Sequence, residues 1–296
     1  MLVRSLFAPF FVLILLTAFP IVVSAQSSNP SESYLLGLHY FYGRSVPVDY
    51  QKAADLFRES AKAGDPRSQF MLGYLYSLGF GVPRDFVRAA EFFRASALQG
   101  YPLAENNLAS LYEHGQGVSK DLREAIRWYL PAAVQGDPVA QANLAGLYYT
   151  GTGLPQDFTQ AARWFRVAAE NGQRNAQNNL AVLYCLGKGV QVDHGKAAYW
   201  ARLAADQGLV PAQSNLGFLY EHGWGVPLDY VSAFAWYSRA SRAGDHAAAE
   251  SLTALRQVMT RKQLDQVAVL LAVQTPAPDL TASAPALAFG SAEPIK

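Results

Sequence analysis

Between Asp137 and Gly172 the apolar positions run in two helical registers. Leu144, Leu147 and Tyr148 recur at i, i+3 and i+4, and Ala161, Trp164, Phe165, Ala168 and Ala169 repeat the spacing further on. Each set marks one buried face of a helix. The punctuation agrees. Asp137 is placed to cap the first helix, and Pro138 occupies the first turn, where its missing N–H costs nothing. Gly151-Thr152-Gly153 stops that helix, Asp157 caps the second, and Gly172 ends it. The stretch predicts a helix–turn–helix unit.

The unit recurs. Gly151 and Gly153 reappear as Gly79 and Gly81, Gly115 and Gly117, Gly187 and Gly189, and Gly223 and Gly225, always in steps of 36 (115 − 79, 151 − 115, 187 − 151, 223 − 187). A fixed period of this size predicts a solenoid, in which each unit buries its apolar face only against its neighbours. The first copy, from Tyr34, is degenerate. It keeps Gly37, Gly43, Asp49, Ala53 and Gly64 but has Ser45 for the second turn glycine. Five fuller copies end at Gly100, Gly136, Gly172, Gly208 and Gly244.

A small residue follows the first-helix leucine in every copy: Gly37, Gly73, Ala109, Ala145, Ala181, Gly217. Glycine there costs helix propensity, so the pattern implies that another helix backbone passes close by. The aromatic stripe Tyr76, Tyr112, Trp128, Tyr148, Trp164, Tyr184, Trp200, Tyr220 and Trp236 keeps the period and reads as core. Two departures stand out. Pro131 falls inside a second helix, where it is expected to kink or loosen the last turn. Ala201 stands where other copies carry Phe or Tyr, leaving Tyr199 and Trp200 to fill the space.

The pattern A-x-x-N-L-[AG]-x-L-Y-x-x-G-x-G-V-x-x-D-x-x-x-A-x-x-W-[YF]-x-x-A-A-x-x-G resembles the Sel1-like repeat family, over Tyr34 to Gly244. The resemblance implies a tetratricopeptide-like, all-α fold: a right-handed α-solenoid of about six 36-residue helix–turn–helix repeats. It also implies a concave groove for protein partners, in adaptors, assembly factors or regulators. Some exported members with paired cysteines in each repeat have been linked to β-lactam binding; those pairs are missing here.

Outside the repeats the chain changes character. Residues 26–33 form a short polar linker. After Gly244 the period stops, and Thr260 to Gln263 has capping-box spacing ahead of Leu264, Val267, Leu270 and Leu271. A C-terminal capping helix pair over 245–274 is expected, followed by a Pro-, Ala- and Ser-rich disordered tail over 275–296. At the other end Arg4, the apolar run Phe10 to Phe19 and the small residues of Val23-Ser24-Ala25 read as a signal peptide, residues 1–25. An uncleaved anchor is the competing reading.

Charge and chemistry narrow the function by what they exclude. Lys plus Arg is 24 against 23 for Asp plus Glu, a balance of +1, so no basic footprint points to nucleic acid. With Cys185 the only cysteine, an exported chain has no internal disulfide, and the compartment expected is periplasmic or extracellular. Glu113-His114 and Glu221-His222 lie three repeats apart, and adjacent helix residues point in different directions, so neither pair chelates; solvation of a helix end is the plainer reading. Cys185 has no histidine base nearby in sequence, and Gly-x-Gly lacks the strand and Lys-Ser/Thr of a phosphate loop.

The expectation is therefore a monomeric, non-enzymatic scaffold, without cofactor or stable membrane insertion once the signal is removed. Its partner would be a protein or peptide held along the first helices. Asn107, Asn143, Asn179 and Asn215 form a ladder there, suited either to gripping a peptide backbone or to bridging adjacent repeats. Ser110, Glu113, Tyr149, Phe218 and Glu221 lie beside it, and Phe70, Met71 and Tyr74 extend it as an apolar pocket for a partner segment or as packing for the chain's own N-terminus. Changing Asn143, Tyr149 and Asn179 together is expected to abolish partner capture at unchanged stability. A binder or hydrolase for cell-wall material is the rival reading.

Overall fold

A computed structural model describes residues 29–273; the expected signal peptide and tail lie outside the described residues. Fourteen helices and no strand occur among them. Six pairs follow one another: α1 (Pro30–Tyr42) with α2 (Tyr50–Lys62), α3 (Pro66–Leu78) with α4 (Phe86–Ala97), and α5 (Pro102–His114) with α6 (Leu122–Val134). Then come α7 (Pro138–Thr150) with α8 (Phe158–Glu170), α9 (Arg174–Leu186) with α10 (His194–Asp206), and α11 (Val210–His222) with α12 (Tyr230–Arg242). The pair α13 (His246–Val258) and α14 (Arg261–Val273) follows. Consecutive helices pack on each other from α1 to α13, and α14 folds back onto α12. Helix α1 begins at Pro30, capped by the Asn29 side chain, so Pro30 to Ser33 belong to a helix rather than to the linker.

Each pair is closed by one backbone hydrogen bond. The N–H of the second helix's capping aspartate donates to a tyrosine carbonyl on the first: Asp157 to Tyr148 at 2.9 Å, and its equivalents from Asp49 to Asp229 at 2.9–3.0 Å. The aspartate carboxylate then accepts from the first turn it caps, as Asp157 does from Thr159 N and Gln160 N. One residue thus terminates the turn and starts the helix.

The second turn glycine has a different duty. A Cβ at Gly81, Gly117, Gly189 or Gly225 would stand 1.9–2.3 Å from the carbonyl oxygen opening the preceding repeat's second helix: Tyr50, Phe86, Phe158 or His194. The turn is pressed against a backbone. Among the described residues no helix precedes α1, and there Ser45 takes the position with φ 64°. Among the described residues no preceding repeat supplies the backbone that fixes glycine at the other turns.

The small residue on the first helix packs against a side chain, not the backbone expected. A Cβ on Gly37, Gly73 or Gly217 would come within 2.6–2.8 Å of the ring of Phe57, Phe93 or Tyr237, twenty residues further along the chain. Those rings, with Tyr129 and Phe165 in register, are buried and fill the centre of their repeats. Ala201 holds this place in the fifth repeat. Tyr199 does not fill the gap, since its ring is 58% exposed, and Trp200 is half-buried between neighbouring clusters.

Repeats are tied sideways as well. Arg94, Arg166 and Arg202 donate to the hydroxyls of Tyr112, Tyr184 and Tyr220 in the next repeat. The equivalent position in the third repeat is Leu130, beside Pro131. Even so, α6 runs its full 13 residues through the proline, and Gln135 N still donates to the Pro131 carbonyl at 3.0 Å. The loss is one backbone bond, without a shortened helix. At the C-terminal end Phe234, Tyr237 and Ala240 are covered by Ala248, Leu255, Met259 and Val267. The capping box forms as spaced: Thr260 N donates to Gln263 Oε1 at 2.8 Å, and Gln263 N to Thr260 Oγ1 at 3.4 Å.

Candidate partner-binding surface

The asparagine ladder belongs to the interior. Asn107, Asn143 and Asn179 are buried and Asn215 is half-buried. Asn143 Nδ2 donates to Asn106 Oδ1 at 3.3 Å, and Asn215 Nδ2 to Asn178 Oδ1 at 2.9 Å, each reaching back to the preceding repeat's first helix. Asn107 instead donates to the Leu103 carbonyl at 2.6 Å, because Phe70 holds the position an amide partner would need. At Asn143 and Asn215 the amide bridges adjacent repeats. Asn143 and Asn179 are both buried, so replacing them is expected to cost stability as well.

Other expected site residues are similarly engaged. Glu113 and Glu221 accept hydrogen bonds from the hydroxyls of Tyr129 and Tyr237, both at 2.7 Å. Burial, reinforced by the neighbouring carboxylate, pushes both phenols well above their ordinary range. Ser110 is buried and, with Asn143, completes the surroundings of the Tyr129 hydroxyl. Phe70, Met71 and Tyr74 are 3% exposed. The Tyr74 ring meets Phe41 of α1, the Phe70 ring meets Tyr101 at the start of α5, and Met71 lies in the same buried cluster, so all three are packing.

Tyr149 and Phe218 remain accessible. Tyr149 is half-buried; its ring meets Phe158 edge-on at 5.3 Å, and the Lys188 ammonium lies 5.3 and 5.1 Å from the two ring centres. Phe218 is 39% exposed, stacked on His222 at 4.1 Å and edge-on to Trp224 at 5.4 Å. Trp224 in turn stacks on His194 at 4.7 Å, whose buried Nδ1 has no hydrogen-bond partner. Sequence spacing separated His194 from His222; the turn brings both onto one indole. Their paired roles end there. His222 and His114 donate from Nδ1 to carbonyls one turn back, at 3.0 and 2.9 Å, as helix-end residues do.

Gly146 was missed. It shares the register of Tyr74, Ser110, Val182 and Phe218, and a Cβ there would meet nothing within 4 Å. The row of first-helix side chains is therefore notched at Gly146, with Tyr149 beside the notch and Phe218 two repeats on. The signal was available: the one internal glycine of α7 lies off the small position already filled by Ala145. Among the described residues no three His, Cys, Asp or Glu side chains gather as a metal site requires, and no helix is long and apolar enough to cross a membrane.

Comparison with known proteins follows the same register. The Sel1 repeat pattern matches residues 33–65, 66–101, 102–137, 138–173, 174–209 and 210–245. The structure is similar to a Sel1 repeat protein from Oxalobacter formigenes, at 35% identity over 77% of this chain and 66% of the other, with a TM-score of 0.69. It is also similar to c5321, a protective antigen present in uropathogenic Escherichia coli strains, at 32% identity over 82% of this chain and 60% of the other, with a TM-score of 0.57. The chain thus spans two thirds or less of either structure's length. No curated protein matches it.

Proposed function

Because this chain belongs to the Sel1 repeat family, we propose that it is an exported scaffold or regulator whose first helices hold a protein or peptide partner. The observation that carries this reading is the notch at the half-buried Gly146, where a Cβ would meet nothing within 4 Å, flanked by the half-buried ring of Tyr149. A rigid row of helices with one low point and adjacent aromatic anchors suits an extended segment, since such rings bury large area at little cost in conformational entropy. Export to the periplasm or beyond rests on the signal-like residues 1–25. The function needs no catalytic group, and we place this protein among binders rather than enzymes.

The reading is tested by filling the notch. Gly146→Arg adds bulk where nothing clashes and replaces a helical glycine with a better helix former. Proteins that co-purify with the wild type from the exported fraction should be lost with Gly146→Arg and kept with Val87→Arg, a control on the exposed side of α4. Equal recovery with both variants would remove the groove from the account.

A further inference from the structure

The fifth repeat lacks its central ring, and a cavity of about 270 Å³ lies there. Ala181 and Ala201 face it, as do Val182 and Cys185 of α9 and Asn215 and Phe218 of α11. In register, Ala181 and Ala201 correspond to Gly217 and Tyr237, or Gly73 and Phe93, pairs whose second member lays a ring against the first. The space is thus shaped for a six-membered ring on three sides. It opens towards the accessible part of the first helices, where Phe218 is 39% and Leu186 56% exposed.

The lining has changed along with the ring. Around the Tyr129 hydroxyl stand Glu113, Ser110 and Asn143; the residues 72 positions on are Cys185, Val182 and Asn215. Carboxylate and hydroxyl have become thiol and isopropyl, and the remaining amide already donates to Asn178. A phenol entering this cavity would find no carboxylate to accept its proton. A bare phenyl ring would lose nothing.

We propose that this cavity is a binding site for a phenyl ring, supplied by a phenylalanine side chain of the peptide laid along the first helices. It rests on the groove reading for its source but not for its existence. An enclosed apolar cavity of about 150 Å³ suffices for benzene in other proteins, so the volume is adequate. The ring would restore in trans what the other five repeats supply from their own second helix.

Cys185, the only thiol, reports occupancy through its rate of alkylation by iodoacetamide. Toluene at about four times its Kd should slow that rate about fivefold in the full-length protein. p-Cresol should bind about tenfold more weakly for want of the carboxylate acceptor that Tyr129 has. In Ala201→Phe, checked for wild-type helical content by circular dichroism, toluene should have no effect on the rate. Ala201→Leu, a smaller filling, should reduce the effect. Capped Ala-Phe-Ala should protect where Ala-Ala-Ala does not.

Absent protection by toluene in the wild type, or undiminished protection in both filled variants, overturns the site. Protection by toluene without protection by Ala-Phe-Ala overturns the peptide as its source. Neither result depends on Gly146→Arg, so the groove and the cavity fail separately.

Discussion

Gly225 approaches His194 so closely that a Cβ on the glycine would stand 1.9 Å from the histidine's carbonyl oxygen. The contact joins the turn of one repeat to the start of the preceding repeat's second helix. Because the obstructing atom is backbone, no side-chain rotation relieves it. Gly244 has a comparable positive φ, 95°, but open space around it. Gly244→Ala should therefore cost only the left-handed backbone penalty, about 1–2 kcal/mol. Gly225→Ala should exceed about 3 kcal/mol, because the repeats must also separate. Urea unfolding of the two variants measures the difference; equal losses would mean that the close approach is not a constraint on stacking.

The buried Tyr129 hydroxyl donates to Glu113, and Tyr129→Phe should remove about 1–2 kcal/mol at neutral pH. It should also alter the alkaline limb of stability. The folded phenol titrates well above its unfolded value, so its contribution is present below about pH 10 and is lost as pH rises beyond it. The variant should be less sensitive than the wild type to pH between 10 and 11. An identical alkaline slope in both proteins would assign the sensitivity elsewhere.

Glu105 is 4% exposed and accepts from Gln135 Nε2 at 2.9 Å, at a position where Gln141 and Gln177 stand in the next two repeats. Burial raises its pKa, so its stabilising form is the protonated one, fully present below the ordinary carboxylate range and lost as pH rises through the raised value. Glu105→Gln should stabilise the fold at pH 7 by roughly 1 kcal/mol, the scale of one hydrogen bond. The gain should vanish towards pH 4. Thermal unfolding across that interval decides it, and a destabilised variant at pH 7 would contradict the argument.

The helices and turns were legible because each is specified by residues close in sequence: aspartate caps, turn glycines, and apolar positions at helical spacing. The meaning of Gly37 and Gly217 was half legible. Spacing showed that something must pass close, but a ring twenty residues on and a helix backbone leave the same trace of small residues. The asparagine ladder could not be decided from spacing, because whether Asn143 meets a peptide or Asn106 depends on how one repeat leans on the next. For Phe70, Met71 and Tyr74 spacing left pocket and packing open, and the neighbours that bury them come from adjoining repeats. Trp224, between His194 and His222, needed the fold itself, since its partners come from two repeats.

The central claim is that a partner lies on the first helices at the notch. A benzophenone amino acid at position 146 tests it most directly, with the same group at position 87 of α4 as control. Irradiation in the exported fraction should yield a discrete adduct from position 146 and none from 87, and Gly146 is spacious enough for the substitution to leave the unfolding temperature unchanged. A fully folded protein that gives no adduct from 146, or the same adduct from 87, would contradict the account.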